Sequence, residues 1–217
     1  MTDLNAMDLE VEAKALVASA SRPKRRVSPR LARQLADAED LEVDTPFGSV
    51  MAWRLGAGPA TLLVHGWEDD NALWGPLIGA CAEMFRAVVV LDLPGHGFSQ
   101  AESCTVETAG EAILAVAEAL GPIDSIVGHS FGCSAATYAM SRGLPARRAA
   151  MIAGAVLYTP ADLDRFAKRW IARQVERGAD PEVAARADSL RRERQLAETP
   201  QLKAAIAGLT AAGLLIH

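Results

Sequence analysis

Cysteine is scarce in this 217-residue chain, and the three present are an odd number with no metal-type spacing: Cys81, Cys104 and Cys133. They read as buried thiols in a reducing compartment, so no disulfide framework, metal site or organic cofactor is expected. A basic surplus is also lacking. The formal net charge of −5 argues against nucleic-acid binding as the main role. No apolar run approaches the roughly 18 residues of a membrane span. The first residues, M-T-D-L-N-A-M-D-L-E, are acidic and hold no apolar signal core. Cytoplasmic location is the expectation.

What is present is half hydrophobic, enough for one sizeable domain. Residues 1–40 form a zone of their own, with a weakly amphipathic helix over 9–20. Five basic residues follow between Arg22 and Arg30, reading as a solvated arm or one that touches an acidic surface. A short helix is expected over 31–39. From Leu41 the pattern turns to strands, with L-E-V-D and S-V-M-A-W-R flanking the turn T-P-F-G as a hairpin. T-L-L-V-H (61–65) and A-V-V-V-L (87–91) are continuous apolar runs, as for strands covered on both faces. A helix is expected over 72–85, another over 106–120 stopped by Gly121-Pro122, and a third over 131–143. Further strands are expected at I-D-S-I-V (123–127), at 149–158 and from A-G-L-L-I-H (212–217). Alternating buried strands and helices imply an α/β fold, a mostly parallel twisted sheet flanked by helices. Residues 161–200 break the alternation with charged helical sequence and read as a lid-like insertion.

The motif most charged with chemistry is G-H-S-F-G, with Gly128, Ser130 and Gly132 at the fixed places of a nucleophile elbow between strand and helix. Two further motifs precede it, V-H-G-W (64–67) and D-L-P-G-H-G-F-S (92–99). In this order and spacing the chain resembles the α/β-hydrolase superfamily over nearly all of 41–217. The resemblance implies a serine hydrolase of the carboxylesterase kind, acting on a small-molecule ester or related acyl substrate. It gives Ser130 the nucleophile's place, and the backbone N–H groups of Phe131 and Trp67 the oxyanion hole. His65, His96 and His129 each sit inside a motif where the family usually uses them structurally. Asp92 matches a loop-shaping aspartate.

Members of that family carry an acid and then a histidine after the serine. Asp162 and Asp164 stand where some relatives place the acid, and the only later histidine is His217, on a strand position. Catalytic acid and base are therefore not found at matching positions. The chain reads as truncated at its C-terminus, with about 60–80 further residues, including the last strands and helix, completing such a domain. As given, it is expected to be a poor enzyme; an acyltransferase, or a non-catalytic fragment or interaction protein on the same fold, is the alternative. An apolar L-L-I strand at a sheet edge favours pairing with other chains. Self-association is therefore expected in sizing at micromolar concentration, and a sharp monomer peak speaks against it.

Overall fold

The computed structural model describes residues 5–28, 35–84, 87–154, 160–208 and 212–216. Along the chain run α1 (Ala6–Ala20), β1 (Glu39–Val43), β2 (Val50–Gly56) and β3 (Ala60–Val64). A 3-10 turn (Asn71–Trp74) then enters α2 (Gly75–Met84), followed by β4 (Ala87–Leu91) and α3 (Val106–Leu120). After these come β5 (Ile123–His129), α4 (Phe131–Ser141), β6 (Arg148–Ile152), α5 (Pro160–Glu176), α6 (Pro181–Gly208) and β7 (Ala212–Ile216). The strands form one seven-stranded sheet in the order β1-β2-β4-β3-β5-β6-β7. β2 pairs antiparallel with β1 and β4, and every other pairing is parallel. One compact unit holds this sheet with α2, α3 and α4; another joins α1 to α5 and to α6 as far as Lys203. No helix among the described residues is long and apolar enough to cross a membrane.

The uninterrupted apolar runs of β3 and β4 are explained by burial at all ten positions. Side chains alternate across a strand, so each run must satisfy two faces. Leu62, Val64, Val89 and Leu91 join the core under α3 and α4. Leu63, Val88 and Val90 join a second core with Trp53, Trp74 and Ile78. α3 begins at a reciprocal cap, in which the Thr108 N–H donates to Thr105 Oγ at 3.2 Å and the Thr105 N–H to Thr108 Oγ at 2.9 Å. Its stripe of Ala109, Ala112, Ile113 and Val116 is buried, at helical spacing.

Several expected boundaries move. The helix expected from 72 opens as a 3-10 turn, because Asp70 caps it by accepting the Ala72 N–H. α4 ends at Ser141 rather than 143, and the strand expected at 149–158 is Arg148–Ile152. Residues 155–159, 31–34 and His217 lie outside the described residues. β7 takes its place at the end of the sheet order, against β6.

Two glycines give opposite expectations for the same substitution. A methyl at Gly79, on α2, meets nothing within 4 Å, whereas one at Gly110, on α3, drives into the buried ring of Tyr138. Gly79→Ala is expected to stabilise by about 0.5–1 kcal/mol through helix propensity. Gly110→Ala is expected to destabilise by about 1–3 kcal/mol, since overpacking outweighs the same propensity gain. Urea midpoints decide; stabilisation at both positions refutes the packing account of the α3–α4 contact.

Candidate active site

The sheet order places the site. From β3 the chain passes to β4 on one side, while β5 lies on the other, and Val64 pairs with Gly128 in register. Segments leaving the carboxyl ends of β3 and β5 therefore emerge side by side at a reversal of strand order, where open α/β sheets form their crevice. The β3 segment is His65-Gly66-Trp67 and the β5 segment is Ser130-Phe131.

Ser130 is held at φ 51°, ψ −115°, a left-handed region that strains a residue with a Cβ. The turn is fixed from both sides: the Ser130 N–H donates to the Ile152 carbonyl at 2.9 Å, and its own carbonyl accepts the Cys133 N–H at 3.1 Å. α4 starts almost against the sheet, and only glycine permits this. A Cβ at Gly132 meets the Val64 and His65 carbonyls at 2.5 Å, and one at Gly128 meets the Gly132 carbonyl at 2.8 Å. Gly66 faces the turn, its added Cβ being 3.2 Å from that of Ser130. The serine side chain is left exposed and makes no hydrogen bond among the described residues. The Phe131 N–H, at the first turn of α4, has no acceptor within its own helix. The Trp67 indole is wedged edge-on between Phe131 (5.3 Å) and His96 (5.4 Å), which fixes the β3 segment against α4.

Two buried imidazoles tie the loops together. His65 Nδ1 lies 2.7 Å from the Gly66 carbonyl, which can only accept, so this nitrogen carries the proton; Nε2 accepts the Leu93 N–H at 2.9 Å. His96 repeats the scheme, with Nδ1 2.8 Å from the Pro94 carbonyl and Nε2 accepting the Glu68 N–H at 3.1 Å. Both rings must be neutral to do this. Burial accordingly pushes both pKa values down to about 4. Asp92 organises the 92–99 loop by accepting the Asn71 and Phe98 N–H groups at 2.7 and 2.8 Å and the Asn71 side-chain amide. Its burial raises its pKa.

Several participants escaped the sequence reading. Asn71 carries no motif signal, yet it supplies two of the donors to Asp92. Gly154 is a second close approach, since a Cβ there meets Cys133 Cβ and the Ser130 carbonyl at 2.6 Å. The basic stretch after Arg22 is exposed at most positions but is not simply solvated. The Lys24 N–H donates to Glu68 (3.3 Å), the Ser28 N–H to Asp70 (2.8 Å) and the Arg25 guanidinium to the Ala101 carbonyl (2.9 Å). Two carboxylates of the loop after β3 thus receive backbone donors from residues more than 40 positions away.

The three motif histidines differ in their surroundings. His65 and His96 have both ring nitrogens engaged. His129 Nδ1 is buried without a partner among the described residues and lies against Gly66. None of the three bonds the Ser130 hydroxyl. Cys133, one turn on, is held as a protonated thiol by burial.

Comparison with known proteins gives the family and the fold. A model of the alpha/beta hydrolase family matches residues 61–215. The pimeloyl-(acyl-carrier protein) methyl ester esterase of Xanthomonas campestris pv. campestris is 36% identical over 99 residues, 46% of this chain and 38% of that protein. Its counterpart in Nitrosospira multiformis is 44% identical over 52 residues, 24% of this chain and 19% of that protein. The matched stretches thus span less than two fifths of these relatives' lengths. Among solved structures, E-2-(acetamidomethylene)succinate hydrolase superposes with a TM-score of 0.57 at 19% identity, covering 82% of this chain and 80% of that one. A Pyrococcus furiosus esterase gives 0.56 at 18% identity, over 68% and 62%. These two share the fold.

The paired imidazoles predict an acid-sensitive fold. Each protonates near 6.5 in its unperturbed state and near 4 in the fold, so between those values the unfolded chain binds more protons. Their contribution is complete above about pH 6.5 and is lost as pH falls toward 4. A loss on the order of 2–4 kcal/mol is expected between about pH 7.5 and pH 5. Asp92, whose pKa burial raises, acts with the opposite sign. Urea midpoints that are level across this window refute the neutral, doubly bonded imidazoles.

Proposed function

This chain belongs to the alpha/beta hydrolase family, and from that premise we propose that it is built to hydrolyse ester-type carbonyls with Ser130 as nucleophile. The carrying observation is the Ser130 backbone at φ 51°, which presents an exposed hydroxyl between the two amide-bearing segments. In this reading Oγ bonds to the carbonyl carbon and gives its proton to a base. The oxyanion that forms is received by the N–H groups of Trp67 and Phe131. Collapse expels the alcohol and leaves an acyl-Ser130, which water then cleaves to regenerate the hydroxyl. Acyl esters are the first substrates to try, since the curated relatives are named for a methyl ester on an acyl group. The three free thiols support a reducing, cytoplasmic setting.

The reading includes weak turnover by these 217 residues alone. An activated serine needs a base in hydrogen-bond reach, and His65 and His96 are fully engaged elsewhere. Loss of the base alone costs up to about 10⁶ in turnover in a serine hydrolase. Intact-mass labelling with a fluorophosphonate probe is therefore expected to give little adduct on the chain alone. Added imidazole, as an external base, is expected to promote an adduct that Ser130→Ala abolishes. Equal imidazole-promoted labelling of the alanine variant refutes Ser130 as nucleophile. Rapid labelling without imidazole refutes the missing base but leaves the nucleophile standing.

A further inference from the structure

A groove of about 370 Å³ lies between α5 and α6. Its floor and walls are unusual for a chain of net negative charge. α5 lends it two interleaved pairs at helical spacing, Phe166 with Trp170 and Arg169 with Arg173. α6 contributes Arg191, whose guanidinium sits 4.4 Å above the Trp170 ring and 3.1 Å from Asp188.

The charges in this groove do not balance. Arg191 is matched by Asp188, a carboxylate only 4% exposed, and Arg192 by Asp164 at 2.7 Å. Arg169 and Arg173 line the same groove with no ion pair among the described residues. Two positive charges are thus left one helical turn apart, close enough for one anionic group to meet both. Beside them Phe166 is 47% exposed, with Trp170 half-buried, so the groove offers apolar surface next to cationic forks. Guanidinium is weakly hydrated and presents paired donors, which favours phosphate and carboxylate over a neutral group. The buried Asp188 holds Arg191 on the indole, so one wall is set before any ligand arrives.

We propose that the α5–α6 groove is a binding site for a small amphipathic anion, its phosphate or carboxylate head on Arg169 and Arg173 and its apolar body on Phe166 and Trp170. The volume lies within the range of small-molecule sites. A wholly polar polyanion leaves the exposed aromatics unused, and an apolar ligand leaves the two arginines without a counter-charge. The site does not depend on Ser130.

The test uses the ¹⁵N-labelled 217-residue chain, titrated with octyl phosphate, octanoate, neutral octanamide and inorganic phosphate. The Trp170 indole resonance, assigned through Trp170→Phe, is the readout. Octyl phosphate or octanoate is expected to shift it at millimolar concentration, with the tighter of the two identifying the head group. Octanamide and inorganic phosphate are expected to bind about tenfold more weakly or worse. Arg169→Ala/Arg173→Ala is expected to weaken the anionic amphiphiles about tenfold while the Trp170 indole resonance of the ligand-free variant stays dispersed at its own position, showing that the α5–α6 packing persists. Raising ionic strength is expected to weaken them in the same direction. Octanamide matching octyl phosphate, undiminished binding by the double variant, or an unmoved Trp170 resonance overturns the proposal. So does binding confined to a polyanion such as polyglutamate, which points to an acidic protein surface instead.

Discussion

The contact on which the rest of the sheet's carboxyl edge depends is the approach of α4 to the backbone of β3. A helix normally stands off a sheet by the length of its side chains. Here the first turn of α4 lies so close that an added Cβ at Gly132 meets two carbonyls of the neighbouring strand. That closeness forces the backbone between β5 and α4 to reverse within one residue, and Ser130 absorbs the reversal at φ 51°. The strain is held by backbone hydrogen bonds on either side of it, since Ser130 N–H donates to the Ile152 carbonyl and Cys133 N–H returns to the Ser130 carbonyl. A side chain in such a turn has nowhere to go but outward.

Once α4 is seated, the loops around it need fixed points of their own. The molecule meets this with buried acceptors. His65 and His96 each bridge a carbonyl to a distant N–H, and Asp92 gathers two N–H groups and an amide. These groups are expensive to bury and therefore serve only if every lone pair is used. The lowered imidazole pKa values follow from the same arrangement: protonation would turn an acceptor into a donor aimed at an N–H. The chemistry of His65 and His96 is thus spent on shape.

Much of this was legible before any coordinates, and the reason is locality. G-H-S-F-G declares itself because the close approach restricts residues within two positions of the serine. The runs 62–64 and 87–91 declare themselves because burial on both faces removes polar residues. What escaped is long-range and carried by the main chain. The donors of Lys24 and Ser28 to Glu68 and Asp70 are backbone N–H groups, so no residue pattern marks them, and the stretch read as a solvated arm. Asn71 carries no local mark because its partner, Asp92, is 21 residues away. The groove between α5 and α6 escaped for a related reason. Phe166 and Trp170 are too few to colour the composition of 161–200, and the wall opposite them, Arg191 on Trp170, comes from a second helix.

Positioning and activation are separable tasks in this architecture, and the elements described above bear on the first. The strained turn, the amides and the buried imidazole bridges all concern where atoms stand, and they are set by strands and helices between residues 60 and 154. Activation concerns where a proton goes, and it needs a titratable group with a free lone pair at the Ser130 hydroxyl. A fold can complete the first without the second because glycine packing and ladder hydrogen bonds are indifferent to the protonation of the serine. The converse does not hold. A base has no use until the hydroxyl is held exposed beside its donors, so the elbow sets the geometry to which any base must conform.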